Sequence, residues 1–309
     1  MQSQDRVFAG KDSLSGFFVL LRQCFPAARR VSYFLVPRSF NSVNKAFMTA
    51  MNRLESVEAM RGIAAFSVAF FHFTIGSIRP EGMLQVLGSV GWLGVEVFFV
   101  ISGFVIPMSM WERNYSLRKD VFRFVARRLV RLEPAYLLTV VGCIALWHVS
   151  AMMPGFKGTP PQISLEVIAL HAGYLIAFFD QEWLNPVFWT LAIEFQFYIA
   201  ISLVFPLLSS KNRLLRLSAL IALVGLSHIG IGRNLLPYWF GLFAAGILTW
   251  MTHARQLKPR GFIVLSVILF ISNSYSLGVL IASVGLATSA VLLITNFPKM
   301  RPLAFLGTI

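Results

Sequence analysis

Apolar runs broken by short basic turns dominate the chain from about residue 58 onward. The first strongly apolar stretch covers residues 60–78 and predicts a span over about 58–78. A second span follows at about 87–110. Residues 111–131 then carry Arg113, Arg118, Lys119, Arg123, Arg127, Arg128 and Arg131, which reads as a cytoplasmic loop and places the N-terminus inside. The third span, about 132–152, leads outward into a segment holding three prolines, Gly155 and Gly158. The apolar run 165–179 is short for a full crossing, and the preferred reading is a dip that returns on the outer side; a short true span is the alternative. The helix at about 187–208 then runs inward to Lys211, Arg213 and Arg216. Spans at about 214–231 and 235–252 follow, with His253, Arg255, Lys258 and Arg260 inside. Residues 261–297 read as two helices broken at Ser272 to Ser276, with Lys299 and Arg301 inside again. The expected fold is an all-α, polytopic transmembrane helical bundle of about 8–10 membrane segments.

Composition agrees with this pattern. The 309 residues are 57% hydrophobic and 13% charged, with a mean hydropathy of +0.71. Soluble domains carry about 25% charged residues. The net charge of +14 would point to nucleic acid in a soluble protein. Here the cations lie between apolar spans, so membrane lipids, not nucleic acid, are the expected partner. Cys24 and Cys143 are too few for a disulfide framework, and no zinc or haem spacing, P-loop or Gly-x-Ser-x-Gly elbow occurs. Residues 1–50 form a separate basic extension of unassigned role, with Arg22, Arg29, Arg30 and Arg38; residues 51–309 form the membrane domain. An amphipathic surface segment, a targeting peptide and sequence upstream of a working start at Met51 remain open readings of the extension.

Four polar features inside the apolar pattern are candidate chemistry. Arg61 and His72 are eleven residues apart, which returns them to within about 20° of one helical face, with a rise of about 16 Å. Ionisable groups inside membrane segments usually mark function, although a snorkelling arginine and a satisfied histidine would look the same. Glu96 lies within the second span and calls for a basic partner from another helix, or for packing by hydrogen bonds. Arg128 and Arg131 share a helical face at i,i+3, and with Arg127 suit either an anionic cytoplasmic ligand or lipid headgroups. Pro186 fits a first helical turn, and Glu194 and Tyr198 are i,i+4 on that helix. His148, His171 and His228 lack a partner spacing and read as bridging or interfacial residues. Gly91, Gly94 and Gly103 suit close helix contact.

In order, these segments resemble the acyltransferase-3 family of integral membrane acyltransferases. The matches are Leu54-Glu-Ser-Val-Glu-Ala-Met-Arg-Gly62 with Phe71-His72, Gly94-Val-Glu-Val-Phe-Phe-Val-Ile-Ser-Gly103, Arg127-Arg-Leu-Val-Arg-Leu-Glu-Pro134, and Phe188-Trp-Thr-Leu-Ala-Ile-Glu-Phe-Gln-Phe-Tyr198. The segment Pro302-Leu-Ala-Phe-Leu-Gly-Thr-Ile is similar to the start of the family's closing helix motif, which is cut short at Ile309. The opening segment is most similar to bacterial exopolysaccharide O-acetyltransferases. The resemblance implies O-acyl transfer, usually of acetyl, from cytoplasmic acyl-CoA to a hydroxyl of a cell-surface polysaccharide or lipid-linked sugar, in a bacterial inner membrane. It maps the family's arginine–histidine motif onto Arg61 and His72 and its paired arginines onto Arg128 and Arg131. His72 is then expected as general base or acyl relay, Arg61 as a group holding phosphate or polarising the thioester, Arg127, Arg128 and Arg131 as the CoA-phosphate grip, and Glu194 as the group orienting His72 or the acceptor. Acyl-CoA is a substrate here, with no permanently bound cofactor or metal. A transporter or flippase is the rival class, weakened by the absence of an internal repeat.

Overall fold

A computed structural model describes residues 40–74, 82–156, 163–179, 181–230 and 232–294, with side chains of the first helix from Val57 onward. The basic residues of 1–39, Cys24, the loop prolines 160 and 161, Lys299, Arg301 and the closing segment 302–309 lie outside the described residues. The chain divides into Met1–Asn52 and Arg53–Ile309. Of the first unit, helical backbone is described over 40–52.

Among the described residues every element is helical: α1 Phe40–Thr74, α2 Met83–Ser89, α3 Gly94–Glu112, α4 Leu117–Met152, α5 Leu165–Ala172, α6 Phe188–Leu208, α7 Arg213–Gly225, α8 Leu236–His253, α9 Pro259–Ser276 and α10 Val279–Ile294. This is an all-α membrane protein. Among the described residues three apolar stretches are long enough to cross a membrane, Met83–Glu112, Leu117–Met152 and Phe188–Leu208. The other apolar helices, α7 to α10, have 13 to 18 residues. Exposed apolar residues such as Leu138, Val141 and Leu146 on α4 and Val264, Ile268 and Ile271 on α9 point away from the core, as expected where lipid is the solvent.

The core centres on α8, buried over most of its length and packed against α3, α6, α7, α9 and α10. Its closest neighbour is α3. A Cβ on Gly103 would collide with the backbone of Phe243, and one on Gly246 with Val100, Gly103 and Phe104. The two glycines thus allow backbone-to-backbone contact, which in a bilayer replaces the missing hydrophobic drive between helices. Gly91 and Gly94 do the same against Ser67 and Ala64 of α1.

Several boundaries differ from the pattern-based ones. Apart from a turn at 113–116, the segment 111–131 is helix rather than loop: α4 starts at Leu117, where the Ser116 amide donates to the Asp120 carboxylate, and no helix breaker interrupts it before Pro134. At 36 residues, about 54 Å, α4 exceeds the hydrocarbon thickness, so its basic first half projects beyond it. The second apolar run breaks at Val90 to Leu93 into α2, a 3-10 turn and α3. The run 165–179 forms α5, a turn and a 3-10 turn, Ile176–Phe178. Asn185 accepts from the Val187 amide, so Pro186 lies in the turn before α6. The break in 261–297 falls at Gly278 (φ +95°), after the serines, because glycine alone takes that backbone conformation without strain.

Arg216 fixes one end of the bundle. It is buried and donates to the Ser210 carbonyl (2.7 Å) and the Gln256 carbonyl (2.9 Å). The Tyr115 hydroxyl donates to the Ser202 carbonyl (2.9 Å) beside Phe205. Three basic connections, 113–116, 209–212 and 254–258, with the first turns of the helices that follow them, therefore gather toward a single end, as a one-sided arginine bias requires.

Candidate active site

Glu194 is the centre of the best-formed polar cluster. Its Oε1 accepts from the Tyr198 hydroxyl (2.6 Å), one turn further along α6, and from Ser102 of α3 (3.2 Å). The i,i+4 spacing supplies the first bond; the glycine-mediated seating of α3 on α8 places the second. Aromatic packing holds the frame: Phe197 stacks on Phe243 (4.1 Å), which stacks on Phe99 (4.9 Å). Arg128 of α4 lies over the rings of Tyr198 and Phe124, 5.5 Å from each centroid, and interacts electrostatically with Glu194, Tyr198 and Arg131. Guanidinium on an aromatic face retains its donors for an anion. Arg61 of α1 acts on the Tyr198 hydroxyl electrostatically.

The structure thus brings together Arg61, Arg128 and Glu194 of the residues singled out in the sequence. Arg127 and Arg131 are exposed, with Arg127 turned from the inner face that Arg128 occupies. His72 is also exposed and sits in the last turn of α1, about 16 Å along the helix from Arg61. Its ring contacts Phe71 edge-on (5.1 Å). Glu194 hydrogen-bonds to Tyr198 and Ser102, and among the described residues no hydrogen bond joins it to His72. The basic partner expected for Glu96 is not found among the described residues either: this carboxylate is 2% exposed with Oε2 unpaired.

A second group of polar residues adjoins the first and was legible only in part. Tyr136, three residues after Glu133 on α4, stacks on Tyr174 (4.7 Å), which stacks on Phe195 (4.9 Å), the neighbour of Glu194. Tyr174 is 1% exposed and has φ +56°, a left-handed conformation costing an aromatic residue about 1–3 kcal/mol. Glu133 Oε2 and the hydroxyls of Tyr136 and Tyr174 are buried without a hydrogen-bond partner. An acid in an apolar run signals Glu133; nothing in the sequence signals Tyr174.

His171 anchors this region. Its Nδ1 donates to the Val167 carbonyl (2.8 Å) and its Nε2 accepts from the Leu184 amide (3.1 Å), so the bridging role expected of it holds. Burial pushes the imidazole below its ordinary value. His228 reaches Ser272 (2.8 Å), and His148 bonds its own helix at Ile144. Half-buried Cys143 receives a long contact from Asn185 (3.8 Å). Among the described residues no group of His, Cys, Asp or Glu is placed to hold a metal ion.

Comparison with known proteins gives a family model described as an acyltransferase domain, matching residues 54–309. The O-acetyltransferase OatA of Staphylococcus aureus is 26% identical over 58% of this chain and 29% of its own length. A provisionally named membrane-bound transacylase of Komagataeibacter xylinus, BcsY, is 30% identical over 68% of this chain and 54% of its own. A provisionally named acetyltransferase of Acidianus two-tailed virus, ORF330, is 24% identical over 65% and 59%. The chain thus spans less than two thirds of each of these relatives. No solved structure matches it at a significant level.

Proposed function

This chain belongs to the acyltransferase-3 family, and we propose that it is a membrane O-acyltransferase. It moves an acyl group, acetyl by the relatives' names, from cytoplasmic acyl-CoA to a hydroxyl of a surface polysaccharide or lipid-linked sugar at a bacterial inner membrane. One observation carries the reading: a carboxylate held by two hydroxyls, with an aromatic-stacked arginine beside it, inside a helical membrane protein.

The chemistry needs an anion grip, a base and a stabiliser of developing oxyanion charge. Arg128, with Arg131 and the exposed Arg127 at the basic end, grips the phosphates of CoA. Arg61, acting with Arg128 on the Tyr198 side of Glu194, polarises the thioester carbonyl. Glu194 takes up the acceptor's proton, and the Tyr198 and Ser102 hydroxyls keep its carboxylate fixed. His72, at the far end of α1, serves a second station on the acceptor side, where a neutral imidazole accepts a proton or carries the acyl group. That assignment explains why His72 and Glu194 do not touch.

The test is purified protein with labelled acetyl-CoA and a polysaccharide extract of the producing cells. Label in glycan ester and CoA release that depends on the glycan are the expected results. Transport of substrate across vesicles with no ester formed would establish the transporter class instead.

A further inference from the structure

Two basic clusters stand at the basic end of the bundle, and they lead in different directions. On α4, Arg128 leads inward, onto the rings of Phe124 and Tyr198. The other cluster lies on the connections before α7 and α9, where Lys211, Arg213, Arg255, Lys258 and Arg260 are all exposed. Buried Arg216 ties these two connections together by donating to the Ser210 carbonyl (2.7 Å) and the Gln256 carbonyl (2.9 Å). Both acceptors are neutral, so the bonds hold the guanidinium without cancelling its charge. Residues 195–309 contain no Asp or Glu, so helices α7 to α10 bring the cluster no acid of their own. The mechanism above uses none of these cations.

This second cluster leads outward. Helix α9 buries Phe262, Ser266, Leu269 and Asn273 on one face. On the opposite face Ile263, Val264, Val267, Ile268 and Ile271 are exposed. Arg260 heads that same face, since the six positions follow the i,i+3,i+4,i+7,i+8,i+11 spacing of one helical stripe. From Arg260 to Ile271 the rise is about 16 Å, close to the half-thickness of a hydrocarbon core about 30 Å across. Helix α7 repeats the layout on a smaller scale, with Arg213 beside exposed Leu214 and exposed Ile221 two turns further on. Cations at the head of an apolar stripe one leaflet deep match a phospholipid group by group, phosphate on the cations and acyl chain along the stripe. A soluble phosphate would engage the cations alone.

We propose that the α7–α9 cluster binds an anionic phospholipid, with Arg213, Lys258 and Arg260 on the headgroup phosphate and the acyl chain along the outward face of α9. Lys211 and Arg255 add to the positive field that selects an anionic headgroup; a zwitterionic one gains less, because the same cations repel its ammonium. The site is separate from the phosphate grip on α4 and stands whether or not the chain transfers acyl groups.

The full chain in neutral detergent is titrated with phosphatidylglycerol or phosphatidylcholine of identical acyl chains, and bound lipid is counted by native mass spectrometry alongside the melting temperature. Phosphatidylglycerol is expected to bind about tenfold or more tighter and to raise the melting temperature, since each surface cation strengthens contact with anionic lipid several-fold. Replacing Arg213, Lys258 and Arg260 together by Gln should abolish that preference while leaving the melting temperature in phosphatidylcholine unchanged. The same charge removed from α4, by Arg118→Gln, Lys119→Gln and Arg123→Gln, should leave the preference intact. Glycerol phosphate, which has no acyl chain, should not displace the lipid. Equal binding of the two lipids, a preference that survives in the first triple variant, or one lost equally in the second would overturn the site. Displacement by glycerol phosphate or acetyl-CoA would overturn it in favour of a soluble phosphate ligand.

Discussion

Removing the Tyr198 hydroxyl tests the centre of the site with little collateral change. In Tyr198→Phe the ring keeps its place against Phe124 and beneath Arg128, and only the 2.6 Å bond to Glu194 Oε1 is lost. A hydrogen bond to a charged group contributes about 1.5–3 kcal/mol. The remaining bond from Ser102, at 3.2 Å, is longer and cannot replace it. If the lost bond fixes Glu194 in the transition state, kcat falls by about 10- to 150-fold, since about 1.4 kcal/mol is a factor of ten. The measurement is steady-state ester formation from labelled acetyl-CoA, with melting temperature and membrane abundance as controls for folding. A kcat within twofold of wild type in a normally folded Tyr198→Phe protein would refute the assignment of Glu194 to the reacting centre.

Other substitutions probe the remaining claims. His72→Ala should abolish ester formation at normal abundance, because neither base nor acyl-carrier role survives; glycan mass spectrometry reads the result. Arg128→Lys keeps the charge but loses the planar stack on Tyr198, and should raise KM for acetyl-CoA more than Arg127→Lys does. Gly246→Val should destabilise the bundle by about 1–3 kcal/mol or prevent insertion, whereas Gly142→Ala, with open space around it, should be neutral or stabilising; thermal melts in detergent compare them. His171 gives a pH signature. Its folded value lies below the ordinary 6.5, so the stability carried by the neutral ring is fully present above about pH 6.5 and is lost as pH falls below it. The melting temperature should drop between pH 7 and 5, and His171→Asn should remove that drop.

Periodicity and charge were enough to read an all-helical membrane chain with its basic turns on one side, because each bilayer helix must satisfy its own backbone and its cations cannot rest in hydrocarbon. Helix ends were less legible. Basic residues 117–131 look like a loop by hydropathy, yet they are good helix formers that continue α4. Glu194 and Tyr198 announced themselves through local i,i+4 spacing, Arg61 through its cost in an apolar run and Arg128 through its i,i+3 pairing with Arg131. What joins them is non-local. Ser102 reaches Glu194 only because Gly103 and Gly246 let α3 and α8 touch, and Arg128 faces inward while Arg127 does not because of the rotation of α4 against α6. The rise of about 16 Å along α1 leaves His72 outside the cluster that Arg61 approaches. Tyr174 is fixed by a three-ring stack drawn from α4, the turn after α5, and α6. Sequence thus determined the solvent of this protein and the identity of its costly polar groups. Tertiary packing decided which of them share a site, since helix rotation and close approach depend on neighbours that no single segment contains.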